Sequence, residues 1–216
     1  MTELLRQKIY QSIRDDITFG RLSPGERLIE SKLTGQFKAG RSSIREALRQ
    51  LESEGLIRFN QDRVITVSKL SIEEIDEIYT LRWLLESFAA RLTAERAIKK
   101  HVVHLRDLLK KMKAAAKAND LMNWLESNTS FHSFLSEQSG NKNLDQTLES
   151  LKRRVYRYKY ITARIPGHFE EYIQHHEGIL KACEMNNGDM AEKYMKLHIK
   201  TIKKVLIDYL KVFPAY

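Results

Sequence analysis

Three histidines lie at helical spacing among apolar residues in the second half of this chain: His132, His176 and His198. Asn128 lies one helical turn before His132, so both side chains point to the same face. A buried imidazole without a partner costs on the order of 1 to 3 kcal/mol, which a shared metal ion would offset. A histidine on an apolar face is more often a hydrogen-bonded core residue, and spacing alone leaves both interpretations open.

A second pattern, between residues 41 and 57, combines an apolar face with regularly spaced arginines. Arg41, Arg45 and Arg49 recur every four residues and so share one side of a helix. The apolar stripe beside them consists of Ile44, Ala47, Leu48 and Leu51. Arginine binds guanine edges and phosphates through paired hydrogen bonds, and an α-helix fits the major groove of B-DNA. The spacing predicts a DNA-recognition helix, although a solvated basic face gives the same pattern.

The elements around this helix decide between those two interpretations. A predicted first helix, a short second helix and a tight turn at 35–40 precede it. Two β-prone runs, 56–59 and 64–67, follow it and flank a hairpin turn at 60–63. The order of helix, helix, turn, helix and hairpin is that of a winged helix-turn-helix, which favours the recognition helix.

From Ser71 onward the hydrophobic pattern is almost wholly helical. Ser71 and Glu74 have the spacing of a capping box, which marks the start of a helix. We therefore expect two domains, 1–69 and 70–216. The predicted fold class is mainly α, with an N-terminal winged helix-turn-helix and a C-terminal antiparallel all-α bundle.

Six helices are predicted in the bundle. The expected buried side of the first consists of Ile75, Ile78, Leu81, Leu85, Phe88 and Leu92. The fourth follows an apolar stripe that ends at Val155 and is expected to continue to a stop at 166–167.

The N-terminal motifs resemble those of the GntR family of bacterial transcription regulators. The matching segments are GRLSPGERL at 20–28, RSSIREALRQLE at 41–52 and EGLI at 54–57. The resemblance implies that the arginines contact bases or nearby phosphates, that two serines bind phosphate, and that the wing approaches the minor groove. The DNA-binding residues that it implies are Arg41, Ser42, Ser43, Arg45, Arg49 and Arg63.

The C-terminal part resembles the FCD ligand-binding domain of the FadR branch of that family, in its VanR-like six-helix form. The matching segments are LRWLLE at 81–86, NTSFH at 128–132, SGN at 139–141, HEGIL at 176–180 and MKLH at 195–198. The resemblance implies a divalent metal bound by Asn128, His132, His176 and His198. Three imidazoles with a neutral amide favour Zn²⁺ or Ni²⁺. His175 points about 100° away on its helix and is not expected to be a ligand.

A neutral amide at Asn128 leaves the charge of the metal uncompensated, which would attract an anion. The family's usual effectors are small organic acids, so the resemblance implies a small carboxylate effector. Arg82 is a candidate second anchor for it, and an i, i+4 ion pair with Glu86 is the alternative. Tyr156 and Tyr160 are candidates for lining the same cavity, with dimer surface or ordinary packing as the alternative.

Composition limits the class of protein. The 216 residues are 42% hydrophobic, enough for a core, and no apolar run of membrane-spanning length or signal-peptide pattern occurs. A single cysteine, Cys183, excludes an internal disulfide, and we expect a cytoplasmic protein with no membrane partner. The net charge is +9, yet residues 1–68 hold only 12 basic against 9 acidic residues. Motif, and not net charge, therefore locates the DNA-binding surface.

The sequence thus predicts a DNA-binding transcriptional repressor. It is expected to act as a homodimer on a palindromic double-stranded operator, with a small carboxylate effector at the metal site. Two alternatives remain open: a metal-dependent hydrolase that uses the three histidines, and a DNA-binding protein whose bundle only dimerises. The hydrolase lacks an HExxH motif or another recognisable general base, and an enzyme is therefore not expected.

Overall fold

The computed structural model describes residues 2–60, 64–165 and 167–213 of the chain. Within those residues the N-terminal part forms three helices and three short strands. They are α1 (Thr2–Thr18), β1 (Arg27–Leu28), α2 (Glu30–Phe37), α3 (Arg41–Ser53), β2 (Ile57–Phe59) and β3 (Ile65–Val67). The strands form one antiparallel sheet in the order β1-β3-β2. The predicted winged helix-turn-helix is confirmed, and β1 is an addition to it.

The core of this part lies between α1 and α3. The predicted apolar stripe of α3 is completely buried, from Ile44 to Leu51. It packs against the stripe of α1 formed by Ile9, Ile13 and Ile17. Burial of one face leaves the opposite face of α3, with its arginines, in solvent.

The C-terminal part is helical throughout its described residues. Its helices are α4 (Ile72–Glu95), α5 (Lys99–Lys117), α6 (Leu121–Gln138), α7 (Lys142–Arg154), α8 (Tyr156–Arg164), α9 (Phe169–Glu184) and α10 (Gly188–Val212). The predicted capping box is present, since Ser71 N donates to Glu74 Oε2 at 2.8 Å and Glu74 N donates to Ser71 Oγ at 3.1 Å. None of the helices described in this protein is long and apolar enough to span a membrane.

Six helices were predicted in the bundle, whereas its described residues form seven. The predicted fourth helix is broken at Val155, whose φ of −108° and ψ of 12° lie outside helical values, so that α7 and α8 are separate. Neither proline nor glycine marks this break, and the hydrophobic pattern therefore gave no stop signal. Tyr158, in the first turn of α8, is buried, and its hydroxyl accepts a hydrogen bond from Leu70 N at 3.3 Å.

The prediction for the buried face of α4 was right for Ile75 and Ile78 but wrong for Leu81 and Phe88. Leu81 and Phe88 are 47% and 45% exposed, and Leu84 between them is 48% exposed. The side of α4 that faces the interior instead carries Arg82 and Glu86, each 3% exposed. Apolar residues occupy both sides of α4, so helical periodicity did not separate the core side from an apolar stripe on the surface.

The two parts meet where α1 packs on α8. The Phe19 and Tyr160 rings lie edge to face, with centroids 5.1 Å apart. The Arg14 guanidinium lies 5.9 Å from the centroid of the Tyr156 ring. These contacts join the helix-turn-helix to the bundle, and relative movement is the ordinary expectation for two domains joined in this way.

Candidate metal centre and nucleic-acid interface

His132 of α6, His176 of α9 and His198 of α10 meet inside the bundle. The centroid of the His198 ring lies 5.0 Å from that of His132 and 4.4 Å from that of His176. None of the three is more than 5% exposed. Each offers a ring nitrogen within 4.8 Å of those of the other two. The structure therefore brings together the three histidines on which the metal prediction depends.

A glycine allows α9 and α10 to approach closely at this point. Gly178, two residues after His176, faces the ring of Tyr194, and a Cβ at that position would overlap the ring. Glycine in a helix costs roughly 1 kcal/mol relative to alanine. Its presence here is explained by the close packing that brings the His176 and His198 rings together.

Two of the rings are oriented by hydrogen bonds to Nδ1. His132 Nδ1 lies 2.7 Å from Glu86 Oε2, and His176 Nδ1 donates to Tyr172 O at 2.6 Å. Since both partners are acceptors, the proton is on Nδ1 and the lone pair is on Nε2, as in histidines that bind metals. His132 Nε2 lies 3.2 Å from His198 Nε2. Two nitrogens that share a tetrahedral ion at about 2 Å lie roughly 3.3 Å apart, so this spacing fits one ion.

Polar atoms in and around the cluster have no hydrogen-bond partner among the described residues. These buried atoms are Asn128 Oδ1, Tyr172 Oη, His176 Nε2 and His198 Nδ1. Buried polar atoms in folded proteins are nearly always paired, so a group of unpaired ones indicates a missing ligand. Asn128 is 6% exposed and lies one turn before His132 on α6. Imidazole nitrogens and an amide oxygen are donors that a borderline divalent cation accepts.

Burial keeps the imidazoles in their neutral form. It lowers the pKa of His176 to about 3, with further lowering by the ring of His132. Burial likewise lowers the pKa of His198 well below its ordinary value. Burial lowers the pKa of His132 as well, although the carboxylate of Glu86 partly offsets this. Neutral imidazole is the form that binds metals, so the lone pairs are available at neutral pH.

Glu86 is the site residue that the sequence interpretation missed. Its Oε1 accepts a hydrogen bond from Arg82 Nε at 2.7 Å, while its Oε2 binds His132. Burial raises the pKa of Glu86, but Arg82 and His132 lower it more, and the result is a pKa well below the ordinary value. Glu86 is therefore a carboxylate that fixes the orientation of His132. The i, i+4 spacing to Arg82 was its signal in the sequence.

Arg82 forms the ion pair that was one of its two predicted roles. Its Nε forms the predicted pair with Glu86, and its guanidinium lies 4.6 Å from the centroid of the Tyr79 ring. Its Nη1 is buried and has no hydrogen-bond partner in the described part of the chain. Arg82 and Glu86 cancel each other's charge, so this pair does not neutralise a dication at the histidines.

His175 borders the cluster without belonging to the set of close nitrogens. It is 5% exposed, and its ring centroid lies 5.8 Å from that of His198. The three histidines whose nitrogens converge are His132, His176 and His198. This placement agrees with the expectation that His175 points elsewhere on its helix.

Tyr156 and Tyr160 lie at the joint between the two parts of the chain. Together with Lys159 they line a cavity of about 300 Å³ that also touches Phe19 of the N-terminal part. Burial lowers the pKa of Lys159 to about 7, and Arg82 and other cations lower it further. The tyrosines thus line a cavity, but one that is walled by both parts rather than by the bundle alone.

The arginines of α3 face solvent. Arg41, Arg45 and Arg49 are all exposed, on the side of the helix opposite to its buried stripe. Arg45 Nε lies 3.0 Å from Glu30 Oε2, in a surface pair that contributes little to stability and opens easily. The helix begins after Gly40 without a side-chain cap, so its first amides are open to a phosphate.

The remaining predicted DNA contacts differ in their placement. Ser42 is exposed at the start of α3, whereas Ser43 is 4% exposed and lies on the buried side of the helix. The exposed Ser42 is thus the better placed of the two serines for the predicted phosphate contact. Arg63 falls outside the described residues.

Comparison with known proteins identifies both parts. Residues 5–67 match the family described as bacterial regulatory proteins, gntR family, and residues 77–201 match the FCD domain. The chain belongs to the GntR family of bacterial regulatory proteins, in the group that carries an FCD domain. It is a transcription regulator with a GntR-type helix-turn-helix, and the resemblance seen in its motifs is confirmed.

The chain matches transcription regulators over most of its own length and most of theirs. The chain is 27% identical to the HTH-type transcriptional repressor RspR of Escherichia coli over 203 residues, covering 94% of this chain and 89% of that protein. It is also 27% identical to the gluconate operon transcriptional repressor of Bacillus licheniformis, covering 91% and 82%. In fold it is similar to E. coli McbR/YncC, with a TM-score of 0.80, 22% identity and coverage of 95% and 98%.

Proposed function

We propose that this regulator is a homodimeric repressor that binds a palindromic operator and is controlled by a small organic acid at a metal site in its bundle. One observation supports this most strongly. Three buried imidazoles converge within 4.8 Å and are accompanied by buried polar atoms that lack partners. A transcription regulator has no need of such a costly polar core unless a ligand completes it.

The proposed metal ligands are Asn128, His132, His176 and His198. The ion is a divalent transition metal, Zn²⁺ or Ni²⁺, because imidazole nitrogens predominate over carboxylates. Such an ion would supply Lewis acidity and positive charge at the centre of the bundle. The residues of this chain hold the imidazoles in place, Glu86 by its bond to His132 and the carbonyl of Tyr172 by its bond to His176.

The proposed effector is a small carboxylate. Asn128 contributes no charge, and Glu86 is already paired with Arg82, so a bound dication keeps its charge. An anion that enters the site gains from that charge and from the free Nη1 of Arg82. Since the buried carboxylate of Glu86 is engaged by both Arg82 and His132, it is not free to act as a general base. This favours a regulator over a hydrolase.

The proposed dimer interface is the outer side of α4. Leu81, Leu84 and Phe88 form an exposed apolar stripe at i, i+3 and i+7 spacing, and Leu197 of α10 is 45% exposed as well. Exposed apolar stripes of this kind indicate a protein interface. A two-fold axis at α4 would set two winged helices on one operator and leave the opposite side of the same helix to the metal site.

The effector is proposed to act on the placement of the winged helix. It can change DNA binding only if it binds the DNA-competent and DNA-incompetent arrangements with different affinity. The linking contacts are few, among them the Phe19–Tyr160 ring pair and the ion pair of Arg58 with Glu74 at 3.2 Å. The helix α4 carries both Glu74, at the joint, and Glu86, which binds His132, and so connects the joint to the metal site.

The DNA-binding part of the proposal is tested by Arg45→Ala and Arg49→Ala. Each change should weaken binding to the specific operator by about 1 to 3 kcal/mol and relax preference at one symmetric pair of base positions. Loss of a pure phosphate contact would instead weaken all sequences equally. The measurement is a binding titration against a randomised DNA library from which the operator has been selected.

Arg106→Ala serves as the control for the arginine variants. Arg106 is an exposed bundle arginine paired with Glu184 at 2.7 Å, so its loss should leave both operator affinity and sequence preference unchanged. Wild-type affinity and preference in both Arg45→Ala and Arg49→Ala would remove α3 as the recognition helix.

A further inference from the structure

A second cavity lies at the joint, and the metal site does not account for it. Its volume is about 500 Å³. Both parts of the chain contribute to its walls, which include Phe19, Arg157, Tyr160, Arg164, Ile165 and Tyr209. It shares the Phe19–Tyr160 ring pair with the smaller cavity described above, so the two cavities adjoin at that contact.

Arg157 is the unusual residue of this cavity. It is 5% exposed, and its Nε and Nη1 atoms have no hydrogen-bond partner among the described residues. Its guanidinium lies 5.4 Å from the centroid of the Tyr158 ring, and burial lowers its pKa, with no carboxylate of the described residues to oppose this. A buried cation that lacks a counter-charge is strongly unfavourable, which indicates that an anion completes the site.

The rest of the cavity indicates the class of that anion. Arg164 is exposed and lies over the ring of Tyr160 at 5.5 Å, so it adds a second guanidinium to the cavity lining. The lining also includes apolar and aromatic side chains, among them Phe19, Ile161 and Ile165. Guanidinium groups bind carboxylates and phosphates in the same forked geometry, while such walls bind an apolar body.

We propose that this interdomain cavity binds a small organic molecule that carries an oxyanion on an apolar or aromatic body, with Arg157 as its buried anchor and Arg164 as its second contact. The site is separate from the histidine cluster and does not depend on the metal. A molecule bound there touches α1, α8 and α10 at once. Its binding is therefore linked to the relative placement of the winged helix and the bundle.

The test uses two fluorinated probes observed by ¹⁹F NMR: 4-fluorobenzoate for a carboxylate and 4-fluorophenyl phosphate for a phosphate. At least one should bind the full-length protein saturably, and neutral 4-fluorobenzamide should not. Arg157→Met should weaken binding about 10-fold or more, because it removes a charge-assisted contact. Arg164→Met, on an exposed residue that does not threaten folding, should weaken it as well. Arg153→Met, an exposed arginine at the end of α7, is the matched control and should leave binding unchanged.

Two further readouts separate this site from the metal site. Binding of the probe should persist in excess EDTA, and Arg157→Met should not lower the melting temperature of the probe-free protein, since it removes an unpaired buried charge. The inference is overturned by the absence of saturable binding of either probe, by unchanged binding in Arg157→Met or Arg164→Met, or by loss of binding in EDTA. A lower melting temperature of Arg157→Met would also contradict it, since the arginine would then be a structural residue.

Discussion

Replacing His176 or His132 with alanine should remove most of the affinity for divalent metal and most of the stabilisation that metal gives. Losing one of three imidazoles is expected to weaken metal binding about 100-fold or more. At a free metal concentration 1,000-fold above the dissociation constant, metal bound only to the folded state stabilises the protein by about 4 kcal/mol. A 100-fold weaker site loses roughly 2.7 kcal/mol of that. The measurement is calorimetric titration of Zn²⁺ or Ni²⁺ into metal-stripped protein, with melting temperatures taken with and without metal.

The comparison with and without metal matters because alanine also leaves a cavity where an imidazole was. The cavity lowers the melting temperature in both conditions, whereas loss of the metal site reduces only the difference between them. His175→Ala is the matched control, since His175 is equally buried and lies outside the converging set. It should keep the metal-dependent rise in melting temperature. Equal metal affinity in wild type, His132→Ala and His176→Ala would show that the histidines are ordinary core residues.

Phe88→Glu or Leu84→Glu should convert the proposed dimer into a monomer and lower operator affinity by on the order of 100-fold or more. Each places a charge in the exposed stripe of α4, which a two-fold axis would bring against the same stripe of the second copy. One winged helix reads too short a half-site, and joining two gives a gain of roughly 10²- to 10⁴-fold. Sedimentation equilibrium at micromolar concentration measures the assembly, and titration of the operator measures the affinity.

Met185→Glu provides the control for the dimer variants. Met185 is an exposed apolar residue at the end of α9, 59% accessible and outside the α4 stripe. Its replacement should leave both the dimer and operator binding intact. A dimer that survives both Phe88→Glu and Leu84→Glu would show that the subunits associate through a different surface.

The sequence predicted best where spacing and side-chain chemistry pointed to the same face. In α3 the buried stripe from Ile44 to Leu51 and the exposed arginines follow directly from the helical period. The three histidines were predicted to be buried because each lies among apolar residues, and they are. Their convergence depends on the packing of three helices. In the sequence, the resemblance to the FCD domain was what indicated this convergence.

Two features of the bundle were predicted wrongly: part of the buried side of α4, and the continuity of the fourth helix. In α4, Leu81 and Phe88 were predicted to be buried because apolar residues usually are. They are exposed, and the buried side of the helix holds the charged Arg82 and Glu86. A buried ion pair is rare, and helical periodicity does not reveal it until its partner His132 is known. The break at Val155 had no proline or glycine as a local signal, and the residue that follows it closely, Tyr158, is buried and hydrogen-bonded to Leu70 N, far away in the sequence.

Native mass spectrometry of protein purified without chelators tests the central claim most directly. We expect a dimer whose mass exceeds that of two chains by about one transition-metal ion per chain and a small carboxylate, which denaturation releases for identification. The same ions should be absent from His176→Ala. A dimer of the bare polypeptide mass that takes up no metal when Zn²⁺ or Ni²⁺ is supplied, and that still binds the operator, would contradict a metal-bound effector site.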